Sequence, residues 1–129
     1  MIGKDFEVTK FVSEELLAKA VGSGDVAVFA TPMMIAMMEE AAAKCIAPML
    51  EPGQTSVGTM MNTSHADATP AGMQVRAVAT VTEVDGRSIT FRVEAFDEAG
   101  SIGEGTHSRV IVNRSRFEEK AQSKLAGRA

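Results

Sequence analysis

The chain reads as an α+β domain in which one long antiparallel sheet wraps around one central helix, and three observations carry that expectation. One segment, Thr31-Pro-Met-Met-Ile-Ala-Met-Met-Glu-Glu-Ala-Ala-Ala-Lys-Cys-Ile46, is apolar and long enough to form a buried helix. From Gln54 onward the pattern changes to alternating apolar and polar residues in four long runs. The gaps between those runs, Thr69-Pro-Ala-Gly72, Asp85-Gly-Arg87 and Glu98-Ala-Gly100, are hairpin-sized. A sheet with one dry face needs a cover, and the Met-rich helix is the segment able to provide it.

Phe6, Val8 and Lys10 to Val12 predict a short opening strand. Ser13-Glu-Glu15 supplies a cap and an acidic first turn for a short helix through about Val21, which Gly22-Ser-Gly24 then breaks. Thr31-Pro32 is a stronger start signal, because Thr is a good N-cap and Pro is tolerated at the first helical position. The main helix is therefore expected from Pro32 to about Met49, with Glu51-Pro-Gly-Gln54 as its closing turn. Strands follow at about 54–67, 73–84, 88–97 and 101–113. Val75, Ala77, Ala79 and Val81 lie on one face of the second run, and Ile89, Phe91, Val93 and Ala95 on one face of the third. Ala41, Ala42 and Ala43 let a sheet approach the helix closely. Such a sheet leaves edges, which commonly pair with another subunit, so a homodimer or a larger assembly built on one is expected.

At 129 residues and 45% hydrophobic, the chain has material for a single domain over 1–129, with 115–129 as a C-terminal helix or tail. Cys45 is the only cysteine. No disulfide and no thiol cluster for a metal can be built from it, and the N-terminus lacks an apolar signal region, so a cytoplasmic, metal-free protein is expected. Glu39, Glu40 and Lys44 interrupt the longest apolar stretch, which argues against a membrane span. A net charge of −4 and the absence of Trp and Tyr argue against nucleic-acid binding. Charge is uneven, however: residues 107–129 hold six basic and two acidic groups, net +4, against −8 for the remainder. A solvated terminal helix explains that, and so does a landing surface for a small phosphorylated ligand.

Glu39 stands out among the polar residues. On a helix it shares a stripe with Ile35, Ala42 and Ile46, where a carboxylate costs several kcal/mol unless it is partnered or working in a site. Glu40 points about 100° away with Lys44 one turn later, the spacing of a solvated ion pair. In the first long strand, His65 is by itself more simply a hydrogen-bonded structural residue that Asp67 orients. Taken alone, Thr31 is explained by capping and Gly58 by a strand bulge.

Taken together, these residues stand in an order that means more. Val28-Phe-Ala-Thr31, Met38-Glu39, Ala47-Pro-Met-Leu-Glu-Pro-Gly53, Ser56-Val-Gly-Thr59, Ser64-His65, Ala68-Thr-Pro70 and Gly105-Thr-His-Ser-Arg109 run through residues 28–112 without gaps between the motifs. In this the chain resembles the fluoroacetyl-CoA thioesterase family, a branch of the hotdog-fold thioesterases. The resemblance implies a helix-wrapped sheet, an active site at a subunit interface and hydrolysis of an acyl-CoA thioester. It implies no cofactor, coenzyme A being part of the substrate. The family's catalytic Thr, Glu and His match Thr31, Glu39 and His65; its glycine facing the substrate carbonyl matches Gly58, and an arginine of the substrate site matches Arg109.

Thioester hydrolysis needs an activated water or a carboxylate nucleophile and a donor for the developing oxyanion, and Glu39 suits either first role. His65 can shuttle a proton, and Thr31 can hydrogen-bond Glu39 or the water. Coenzyme A carries several phosphate charges, which gives Arg109, Arg114 and Arg116 a functional reading. The resemblance departs at Gly22-Ser-Gly-Asp25, where the fluoroacetyl-selective pattern carries aromatic lid residues, so the acyl group stays open. A non-catalytic acyl-CoA or small-metabolite binding module is the rival reading. Against it stands the carboxylate in an apolar stripe, which binding alone does not require.

Overall fold

The computed structural model describes residues 1–127, so Arg128 and Ala129, counted above in the basic end, lie outside the described residues. Strand β1 (Asp5–Phe11) leads through a single 3₁₀ turn (Glu14–Leu16) to the one-turn helix α1 (Ala18–Val21) and then to α2 (Thr31–Ile46). Strands β2 (Gln54–His65), β3 (Gln74–Asp85), β4 (Ser88–Phe96) and β5 (Ser101–Asn113) follow, and helix α3 (Arg114–Ala126) closes the chain. The five strands form one antiparallel sheet in the order β1-β3-β4-β5-β2, and α2 packs on its inner face. This is the helix-wrapped sheet that the alternation predicts, and the hotdog architecture that the resemblance implies.

The predicted dry faces are the observed ones. Val75, Ala77, Ala79 and Val81 of β3 and Ile89, Phe91, Val93 and Ala95 of β4 are all buried, and they meet Met34, Met37, Met38, Ala41, Ala42 and Cys45 of α2. Removing each large side chain from water contributes about 1.5–3 kcal/mol, so this interface is a major part of the core's stabilisation. Cys45 is a core residue as expected, its thiol 3.5 Å from the Lys4 carbonyl. Glu40 pairs with Lys44 at 2.6 Å on the solvent side of α2.

Several boundaries differ from expectation, each for a local reason. The helix predicted from Ser13 through Val21 is broken at Leu17, whose extended backbone separates the 3₁₀ turn from α1, and Ser13 caps nothing with its side chain. Leu17 forms an isolated bridge to Phe29 instead. Helix α2 stops at Ile46 rather than near Met49, and Ala47–Met49 form a 3₁₀ turn. Pro48 has no N–H to continue the α-helical ladder. Thr31 is not the N-cap: Ala30 takes that position, and Thr31 is the first helical residue with its hydroxyl engaged elsewhere. Strand β2 ends at His65, two residues early, because the Ala66 and Asp67 amides both turn to the Ile102 carbonyl.

Helix α3 has no buried residue, which fits the solvated-helix reading of the basic end. Its cap is Asn113, whose side chain accepts from the Arg116 amide at 3.0 Å. Among the described residues no helix is long and apolar enough to cross a membrane. Strands β1 and β2 are the two edges of the sheet, and β2 leaves Met60 42% exposed along its open side.

Candidate functional site

In a regular strand, residues seven apart face opposite sides, so Gly58 and His65 would be separated by the sheet. A bulge prevents this. Pairing between β2 and β5 slips by one residue between Gly58, opposite Arg109, and Met60, opposite Ser108. Thr59 is the extra residue, and its hydroxyl donates to the Ser108 carbonyl at 3.2 Å. The insertion inverts the alternation, so Gly58 before it and Met61, Thr63 and His65 after it all face α2.

At the start of α2, the Thr31 hydroxyl lies 2.6 Å from Nδ1 of His65. Phe29 packs edge-on to the imidazole, with ring centroids 6.5 Å apart, and Nε2 of His65 is buried without a hydrogen-bond partner among the described residues. Burial pushes the His65 pKa below its ordinary value, partly opposed by the backbone and charge of Asp67. The Asp67 carboxylate does not bond the ring directly: its Oδ1 accepts from the Ala68 amide, and Thr31 is the partner of Nδ1. A cleft of about 350 Å³ opens over Thr31 and His65, walled by Ser23, Gly24, Val26 and Val28. Phe29 is fixed in turn, its amide donating to the Thr69 carbonyl at 2.8 Å. The buried Thr69 hydroxyl donates to Asp97 at 2.7 Å. Burial raises the Asp97 pKa, but that hydroxyl and the Ala99 and Gly100 amides outweigh it, so the carboxyl titrates below its ordinary value.

Glu39 belongs to a second group. Eight residues along α2 from Thr31, it stands about 12 Å away at 1.5 Å per residue, so the two do not touch within one chain. Its carboxylate faces Gly58 so closely that a Cβ there would lie 3.1 Å from Oε2, 3.2 Å from the His107 ring and 3.5 Å from Nη1 of Arg109. Only glycine leaves that space clear. A smaller cavity of about 210 Å³ lies against Glu39, Gly58, Met60, Met61 and His107.

Arg109 is buried rather than displayed to solvent. Its Nε donates to the Ser56 hydroxyl at 2.9 Å, Nη2 to the Ser56 carbonyl at 3.0 Å, and Nη1 to Nε2 of His107 at 3.3 Å. Burial lowers its pKa, and the charge of Glu39 partly restores it, although the two form no ion pair. Arg114 and Arg116 are exposed on α3, where Arg114 lies 4.0 Å from Glu118. His107, absent from the sequence-based candidates, is 1% exposed and stacks on Phe91 with ring centroids 6.1 Å apart. Its place was detectable by period two, since it lies between Gly105 and Arg109 on the inward face of β5.

The five expected residues thus form two groups, Thr31 with His65 and Glu39 with Gly58 and Arg109. A hydroxyl–imidazole pair can relay a proton, and a carboxylate beside an open backbone position can activate water or attack a carbonyl. Among the described residues no three metal-ligating side chains come together.

The chain is similar to known thioesterases in sequence and fold. A curated fluoroacetyl-CoA thioesterase from Streptantibioticus cattleyicolor is 41% identical over 97 residues, which span 75% of this chain and 70% of that protein. A crystal structure of a mutant fluoroacetyl-CoA-specific thioesterase in complex with fluoroacetate and CoA is 33% identical and superposes with a TM-score of 0.86, covering 91% of this chain and 98% of that one. A Thermus thermophilus thioesterase superfamily member is 29% identical with a TM-score of 0.90, covering 99% and 97%. The family model described as fluoroacetyl-CoA-specific thioesterase matches residues 12–115, and the chain belongs to that family.

Proposed function

We propose that this thioester hydrolase cleaves a small acyl-CoA at a site shared by two subunits, with Thr31 and His65 from one and Glu39, Gly58 and Arg109 from the other. Support comes chiefly from the bulge at Thr59, which turns Gly58 and His65 to one face of an edge strand. Reaction requires the acting groups within about 3–3.5 Å of the same carbonyl, which two groups about 12 Å apart in one chain do not satisfy. Two β2 edges paired antiparallel about an axis near Met61 and Asn62 would set Gly58 opposite His65 of the partner subunit. That pairing also covers the exposed Met60.

In the shared site the acyl group occupies the cleft beneath Ser23 and Gly24, and the thioester carbonyl lies against Gly58. Glu39 either takes a proton from the attacking water or itself attacks the carbonyl carbon to form an anhydride that water then opens. Both routes break the carbon–sulfur bond and release a thiolate. The Thr31 hydroxyl, in exchange with Nδ1 of His65, donates a proton to that thiolate, and the proton that water gave up, to Glu39 or on opening the anhydride, replaces it. Bound CoA in a relative 33% identical supports coenzyme A as the thiol carrier.

The test is release of free thiol from a panel of short, branched and aromatic acyl-CoA thioesters, with Glu39→Gln assayed in parallel. Turnover by the parent alone, with the variant folded and still binding CoA, is the expected result. Unchanged turnover by Glu39→Gln would remove Glu39 from the chemistry. Saturable CoA binding with no turnover of any thioester would favour the binding-module reading.

A further inference from the structure

From the hydrogen bonds around β5 we infer that His107 is a positioning residue, a neutral imidazole that holds Arg109 and the bulged segment of β2 in place around Glu39. The inference rests on the catalytic reading of Glu39.

Two independent bonds require the same tautomer. Arginine has no acceptor, so Nε2 of His107 must accept from Nη1 of Arg109 at 3.3 Å. A carbonyl has no donor, so Nδ1 of His107 must donate to the Met60 carbonyl at 2.8 Å. One ring therefore joins the residue just after the bulge to the guanidinium beside Glu39. Protonation would remove the acceptor and set a second cation against Arg109. Burial and the Arg109 charge both oppose it.

The neighbours leave this ring little freedom. Phe91 stacks on one face, Gly58 lies against Cε1, and His107 is 1% exposed. Arg109 is held at Nε and Nη2 by Ser56, which fixes one side of its plane, while His107 fixes Nη1, the nitrogen nearest the Gly58–Glu39 gap. Loss of the Nε2 acceptor leaves Nη1 unpaired, and the planar guanidinium can then tilt as a unit about its Ser56 bonds toward the Glu39 carboxylate, whose charge already acts on it. An ion pair formed there would draw Glu39 away from the carbonyl, so the ring acts on the reaction through Arg109 without touching substrate.

Three variants separate the two bonds. In His107→Asn the amide sits where Nδ1 was and keeps the bond to Met60, but it is too short to reach Arg109. In His107→Gln an acceptor is restored at the position of Nε2. His107→Leu removes both. Asn and Leu are expected to lower kcat by about 30-fold or more with KM within about threefold, since displacements near 1 Å cost up to 10²-fold. Gln is expected to recover about tenfold or more over Asn. In an Arg109→Met background the Asn substitution should cost less than about threefold, because its target is gone. Equal kcat losses in Asn and Gln that follow only their thermal midpoints would overturn the proposal. So would an undiminished Asn effect in the Arg109→Met background. Failure of the underlying reading shows separately, as turnover retained by Glu39→Gln with all His107 variants also active.

Discussion

The Thr31 hydroxyl and Nδ1 of His65 lie 2.6 Å apart, joining the first residue of the central helix to the last residue of the edge strand. Nε2 of the same ring is buried and has no hydrogen-bond partner among the described residues, so Thr31 is the side chain that links this imidazole to the cleft. If the pair acts as one unit, its deletions should not add. Thr31→Val and His65→Ala should each lower kcat by about 10²-fold or more, and the double variant should be little worse than either. Thr31→Ser, which keeps the hydroxyl, should retain most of the rate. Steady-state kinetics on the four proteins checks this, and multiplicative losses would show that the two side chains act separately.

Gly58 should tolerate no side chain without cost to turnover. An alanine Cβ would meet Glu39 Oε2 at 3.1 Å and the His107 ring at 3.2 Å, so something must move by a few tenths of an ångström. The ring is stacked and hydrogen-bonded at both nitrogens, whereas the carboxylate ends a flexible chain. Glu39 therefore gives way. Gly58→Ala is expected to fold with a thermal midpoint within a few degrees of the parent while kcat drops about tenfold or more. Normal kcat with a large fall in midpoint would make Gly58 a packing glycine only.

Most of the fold was legible because its signals are local. Alternation in β3 and β4 located every inward residue, and the Met-rich segment could be nothing but the central helix. Thr31, Glu39 and His65 were expected as a set only through motif spacing, and within one chain Thr31 meets His65 while Glu39 stands apart. What stayed hidden depends on long-range contact. Thr31 carries a cap signal in sequence, yet its hydroxyl is drawn to His65, 34 positions away. The inverted alternation after Thr59 cannot be read from β2 alone, since the slip is defined against β5. The hydrogen-bond partners of His107 and Arg109 likewise stay hidden until β2 brings Ser56 and the Met60 carbonyl to them.

Both histidines should make the protein less stable in mild acid. Burial holds each below its ordinary pKa of about 6.5, so between that value and the depressed folded value the unfolded chain binds protons that the folded chain refuses. Their contribution is present in full above about pH 6.5 and is lost as pH falls through the folded pKa values. Asp97 adds a second loss of the same sign at lower pH, below the carboxylate range, as its bonds to Thr69, Ala99 and Gly100 are given up. Urea unfolding midpoints should decline from pH 7 to 5.5, and His107→Gln should flatten that decline. A midpoint that is constant or rises over this interval would contradict the neutral assignment of both rings.

Two inactive variants should restore each other if the site is shared between subunits. In a mixed dimer of Glu39→Gln and His65→Ala chains, the intact Thr31 and His65 of the first chain meet the intact Glu39 of the second. The other site carries both lesions. Random exchange gives about half mixed dimers, each with one of two sites intact, so about one quarter of parental activity should return from components that are nearly silent alone. Should all three groups converge within one chain, every site in every dimer keeps a lesion and mixing restores nothing. Thiol release before and after co-refolding an equimolar mixture therefore distinguishes a shared site from a single-chain one. Size-exclusion of the same sample verifies that dimers formed, which makes a null kinetic result decisive against sharing.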